Sequence, residues 1–190
     1  MTAVCTTEPG VDTMVVYALG ERVPEIAESA YIHPLACVIG DVVIGEHVFV
    51  APQASIRGDN GRIEIGDYSN VQDGVVIHGD PAFVTRIGSH VNIGHNAVIH
   101  SEYVGDHAAI GMGAVLMVGS RVAEGCLIAN AALLHPKTET EPYKVYAGVP
   151  ARLLRDFSPD DPARKTIERY VESYIQRTTV YPQQLRRIRD

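Results

Sequence analysis

Three histidines, His78, His95 and His100, have the residue type and the spacing for metal chemistry in this chain of 190 residues. His95 and His100 stand five apart in VNIGHNAVIH, residues 91–100, a segment whose aliphatic residues recur every six. Neutral imidazole ligates metals well, and zinc sits about 2.0–2.1 Å from a ligating nitrogen. Imidazoles that share an ion must therefore come from closely spaced backbone. Cysteine offers no comparable cluster. Cys5, Cys37 and Cys126 are odd in number and lack CxxC spacing, so they read as reduced thiols, Cys126 filling a small packing position.

What positions the histidines is a repeat. Aliphatic residues fall six apart at Ile32, Val38, Ile44, Val50 and Ile56. The rhythm resumes at Ile65, Val71 and Ile77, at Ile87, Ile93 and Ile99, and from Val104 through Ile110, Leu116, Val122 and Ile128 to Leu134. Glycine often follows directly, as in Ile44-Gly45 and Ile110-Gly111, and a small or β-branched residue comes four places on, as in Ala36, Val75, Ala97 and Ala114. A helix needs a period near 3.6 and tolerates neither this much glycine nor this much β-branching. A short strand plus a turn in six residues is the hexapeptide unit of a parallel β-helix, three units to a triangular coil. A sandwich of short strands would not hold phase over this length. The phase breaks three times: three residues are extra between Ile56 and Ile65, four between Ile77 and Ile87, and one is missing between Ile99 and Val104. Insertions in a solenoid bulge from one face, commonly the functional one.

Counting three hexads to a coil stacks Ile56, Ile77 and Ile99, and with them the residues that follow: Arg57, His78 and His100. Coils lie about 4.8 Å apart, so His78 and His100 can both reach one ion. His95, two places after Ile93, falls over Asp73, two places after Val71. That second column belongs to an adjoining side, about a third of a turn away. His95 then points away from the pair in its own chain and meets such a pair only on a neighbouring copy. A threefold ring with three identical boundary sites satisfies this geometry. His47, His90 and His107, each third after an aliphatic, are expected to be solvated, and His33 and His135 lie at the ends of the repeat.

After Leu134 the pattern lapses into an exit loop, with the repeat domain taken as residues 1–155 and a C-terminal helix and tail as 156–190. Ser158 with Asp161 makes a capping box, and Ile167, Tyr170, Val171, Tyr174 and Ile175 form an apolar stripe that packs on the β-helix or on a neighbour. The net charge of −7 disfavours nucleic acid and anionic membrane as partners. No run of 18 apolar residues and no signal peptide is visible, so a cytoplasmic protein is expected.

At these residues the sequence resembles the γ-class carbonic anhydrase family of hexapeptide-repeat proteins. The matching elements are Ser55-Ile-Arg-Gly-Asp59, Asn70-Val-Gln-Asp-Gly-Val-Val-Ile-His78, Ile93-Gly-His95, Ile99-His100 and Ile110-Gly-Met-Gly-Ala114. Gly148-Val-Pro-Ala-Arg152 resembles the family's exit from the β-helix, a motif that hexapeptide acyltransferases share. The resemblance covers residues 20 to 155. It implies a left-handed β-helix and a homotrimer in which His78 and His100 of one chain and His95 of the next bind Zn2+, with Fe2+ or Co2+ as alternatives. It implies reversible hydration of CO2 to bicarbonate, with Gln72 orienting the nucleophile or substrate and Asn70 on the substrate side. Arg57, Asp59 and Asp73 would form the supporting charge network, and Tyr170 or Tyr174 would reach the site from the C-terminal helix. The chain departs from the family after His78, where GDPAFVTR, with Asp80 its only acid, replaces a longer acidic loop. Asn60 stands where family enzymes have a glutamate, which bears on proton removal more than on metal binding.

Three other functions use the same residues differently. A metal-activated water could open a small thioester or ester. The metal could be structural in a trimeric scaffold subunit. A hexapeptide acyltransferase would share the repeat but leave three metal-spaced histidines without a role.

Overall fold

The structure, a computed structural model, describes residues 15–188. Cys5 and most of the segment read for a signal peptide lie outside the described residues. The chain winds as a left-handed parallel β-helix closed by one C-terminal α-helix. Every aliphatic residue of the six-residue count, from Ile32 to Leu134, is buried. The place four residues on is buried too, by Ala36, Val75, Ala97, Ala114 and Cys126 among others. Each large aliphatic so enclosed contributes about 1.5–3 kcal/mol. The axis is narrow, and large and small inward residues alternate to fill it.

Three faces make the prism. The first runs through Val76–His78, Val98–Ile99, Val115–Leu116 and Leu133–Leu134, the second through Thr85–Ile87, Tyr103–Val104 and Arg121–Val122. The third comprises Tyr31–Ile32, Phe49–Val50, Asn70–Val71, Asn92–Ile93, Ala109–Ile110 and Leu127–Ile128. Two long strands, Cys37–Ile44 and Ser55–Ile65, bend round a corner and join the first two faces. The chain turns with a residue in the left-handed region at the third place after the aliphatic: His47, Gln53, Tyr68, His90, Asn96 and His107 all have φ between 53° and 61°.

The breaks in phase fall where the long strands bend. Gly40 pairs with Gly58 and Val42 with Ile63, so Asp41 alone faces Asp59 to Arg62. The next coil carries its own extra residues, Gly79 to Val84, over the same corner. A Cβ on Gly61 would come 2.0 Å from the Asp80 carbonyl oxygen, and one on Gly79 2.0 Å from that of Gly61. Backbone contact this close admits only glycine. The two bulges are thereby stacked beside the histidine column.

Three expectations are corrected. The exit segment is not a loop: Lys144–Gly148 extends the third face in parallel with Leu127–Ile128 and pairs antiparallel with Ala151–Asp156. The helix starts at Pro162, not after Ser158. Asp161 is its N-cap, its carboxylate accepting from the Ala163 amide at 2.9 Å, and Pro162 suits the first helical position because no donor is needed there. The outward histidines are not simply solvated: His47, Tyr68, His90 and His107 stack in a ladder with ring centroids 4.9–5.4 Å apart.

The helix, Pro162–Gln184, lies across the third face and runs against the order of the coils. Arg164 sits 5.1 Å over the Tyr143 ring at the late coils, and Tyr181 meets Tyr31 and Phe49 at 5.5 and 5.3 Å at the early ones. Among the described residues no helix is long and apolar enough to cross a membrane.

Candidate metal centre

Ile56, Ile77 and Ile99 are cross-strand partners, and Arg57 pairs with His78. One place beyond Ile99, His100 lies beside His78 with ring centroids 5.1 Å apart and the planes tilted by 43°. Each ring nitrogen Nε2 has an acid beside it. Asp59 Oδ1 lies 3.1 Å from that of His78, and Asp80 Oδ2 lies 3.5 Å from that of His100. The second contact lacks hydrogen-bond geometry, which leaves His100 Nε2 buried without a partner. A buried imidazole nitrogen with no hydrogen bond is costly unless something else takes its lone pair or proton. Arg57 holds Asp59 at 2.5 Å, and Asn60 Nδ2 stands 3.4 Å from His78 Nε2. Burial pushes the Asp59 carboxyl up, but the hydrogen bonds from Arg57 and His78 outweigh it and hold the group below its usual range.

His95 is on the turn between the third and first faces, while His78 and His100 begin the turn between the first and second. Asn92 and Ile93 pair with Asn70 and Val71, which puts His95 over Asp73. Its Nδ1 meets Asp73 Oδ2 at 2.9 Å. A carboxylate on Nδ1 fixes the tautomer with the proton on that nitrogen and leaves the Nε2 lone pair available. Both groups are substantially exposed. Within one chain the three histidines are not brought together: among the described residues no cluster of three or more His, Cys, Asp or Glu side chains is placed to hold an ion.

Gln72 and Asn70 are buried on the third face. Gln72 Nε2 donates to Asn70 Oδ1 and to Asn92 Oδ1, each at 3.0 Å, so both of its N–H groups are used and Oε1 remains an acceptor. Asn70 Nδ2 is buried and unpaired. Tyr170 is 56% exposed. With Tyr174 it walls a cleft of about 530 Å³ between the helix and the third face, whose lining includes Gln72, Asn92 and His95.

Asn92 and Asp80 join the site in the structure without a motif that marks them in the sequence. Asn92 stands one coil above Asn70, so counting hexads places it beside Gln72, though no motif marks it. Asp80 was visible only as the lone acid of its loop. Its approach to His100 depends on how the two bulges pack.

No family model matches the chain. The carnitine operon protein CaiE of Proteus sp. is 36% identical over 148 residues, which cover 78% of this chain and 75% of that protein. CaiE of Escherichia coli K12 is 35% identical over 145 residues, 76% of this chain and 74% of that protein. Among solved structures, a Bacillus cereus protein proposed to be an acetyltransferase superposes with a TM-score of 0.84 at 30% identity, covering 88% of this chain and 96% of that one. A hexapeptide transferase family protein from Anaplasma phagocytophilum gives 0.80 at 30%, covering 88% and 98%. With relatives this similar over three quarters of its length, the chain belongs to the γ-class carbonic anhydrase-like family of hexapeptide-repeat proteins, alongside CaiE.

Proposed function

We propose that the protein is a metal-dependent carbonic anhydrase that works as a homotrimer. The observation that carries this reading is the division of the imidazoles: His78 and His100 side by side at one corner, His95 braced by Asp73 at the next. The donor chemistry fits a zinc-type ion, since three neutral imidazoles leave a coordination position open. The unpartnered His100 Nε2 is the kind of buried lone pair a metal would satisfy. His78 and His100 of one copy with His95 of another would hold the ion, and iron or cobalt would suit the same set. The face between the two corners carries an outward apolar row, Val76, Val98, Val115 and Leu133, with Val76 and Val98 39% and 37% exposed. An apolar stripe flanked by half-sites supports a copy docking there.

When bound, the ion would lower the pKa of a coordinated water toward 7 and so supply a nucleophile for CO2. The chain's own residues do the rest. Gln72, anchored through both N–H groups, offers Oε1 to accept a hydrogen bond and orient a water or the substrate. Arg57 and Asp59 brace His78, and Asp73 braces His95. Hydration releases a proton, for which the short loop provides only Asp80. Stopped-flow CO2 hydration by zinc-loaded protein therefore rises with added imidazole as proton acceptor. Rates no faster than buffer, with and without imidazole, would refute the assignment.

A second reading is favoured by the structural neighbours described as transferases. An acyltransferase would bind coenzyme A, and calorimetry with coenzyme A separates the two. A hydrolase acting on a small thioester or ester would lose activity with His95→Ala.

A further inference from the structure

The cleft between the C-terminal helix and the third face is far larger than CO2 needs. Its 530 Å³ lies within the range of pockets for whole organic molecules, about 300–1,000 Å³, whereas a water takes about 30 Å³. Its lining is graded along the helix. Near the early coils are Gln72, Asn92, His95, Tyr174 and Arg177; near the late coils are Ala109, Ile110, Leu127 and Ile167. The order follows from the helix running against the coils.

Arg177 supplies a guanidinium to that lining. Its guanidinium lies 4.2 Å from the Tyr174 ring centroid, a stacking that holds it in place. No acid stands three or four places away on the helix, where Ser173, Tyr174, Val180 and Tyr181 occur. Among the described residues no carboxylate pairs with it. A fixed guanidinium without a counter-ion at the mouth of a pocket takes a planar anion through paired N–H donors.

We infer that this cleft binds a small organic carboxylate with an apolar body. The carboxylate meets Arg177 at the end shared with Gln72 and His95, and the body lies against Ala109, Leu127 and Ile167. The inference rests on the proposed metal centre only for what is done to the ligand, since binding itself needs neither metal nor turnover.

Calorimetry on the full-length protein with acetate, butanoate, hexanoate and hexanamide tests it. Affinity should tighten by about two- to fourfold per methylene along the acids. Arg177→Gln should weaken hexanoate binding tenfold or more, Arg177→Lys less, and Ile167→Trp should abolish the gain with chain length. Hexanamide should bind at least tenfold more weakly than hexanoate. Affinity independent of chain length, equal binding of acid and amide, or an unchanged Arg177→Gln variant would overturn the assignment. No binding to the wild type, as when a second copy fills the cleft, would overturn it too. A protein inactive toward CO2 that still binds hexanoate through Arg177 would refute the carbonic anhydrase reading alone.

Discussion

An imidazole with one nitrogen committed is the smallest unit from which the proposed centre is built. Asp73 holds His95 by Nδ1, and that single contact decides which nitrogen faces outward. Asp73→Asn removes the charge that fixes the tautomer, so zinc affinity in a competition assay should fall about 10- to 100-fold while the far-UV spectrum stays unchanged. His90 works differently. Burial, and then neighbouring His107, push its pKa below 6.5 against the pull of Asp106, Asp67 and Glu172. A histidine depressed in the folded state binds fewer protons than it does unfolded. Its contribution is therefore complete above about pH 6.5 and is lost as the pH falls below that value. Melting temperature should drop between pH 7.5 and 5.5, and His90→Asn, which tolerates the left-handed backbone, should flatten that slope. Counting alone placed His78, His95 and His100 in their columns. It did not give the ladder of His47, Tyr68, His90 and His107, because ring stacking depends on rotamers rather than period.

At the scale of elements, period is nearly everything. A buried aliphatic every six residues sets each strand, and the small residue four places on sets how closely the corners close. Ala97 has no exposed surface and lies between the Val75 and Ala114 coils. Ala97→Leu should overpack that axis and lower the free energy of urea unfolding by about 1–3 kcal/mol with the slope unchanged. The bulges were legible as breaks in phase, but their mutual contact through Gly61 and Gly79, which places Asp80 beside His100, was not. Local sequence cannot show which backbone a glycine must approach. The tail is the least legible part of the sequence. Lys144–Gly148 continues the third face with no six-residue signal, and Ser158 resembles a cap although Asp161 before Pro162 is the actual one. The helical stripe from Ile167 to Ile175 was legible, yet the cleft it leaves over Gln72 depends on which way the helix runs.

At the scale of the molecule, one chain carries two histidine corners that never meet, each half of the proposed metal site. The corner with His78 and His100 and the corner with His95 flank the apolar row of the first face. A copy that covers this row can bring unlike corners together, so the proposed centre would make metal binding and assembly one event. Complementation tests this directly. His78→Ala and His95→Ala should each bind little zinc when purified alone. Co-expressed and purified as mixed oligomers, they should regain zinc, because one boundary then pairs an intact His78–His100 corner with an intact His95. Mixed oligomers as empty as either parent, or single variants that keep a full complement of zinc, would contradict a centre shared between copies.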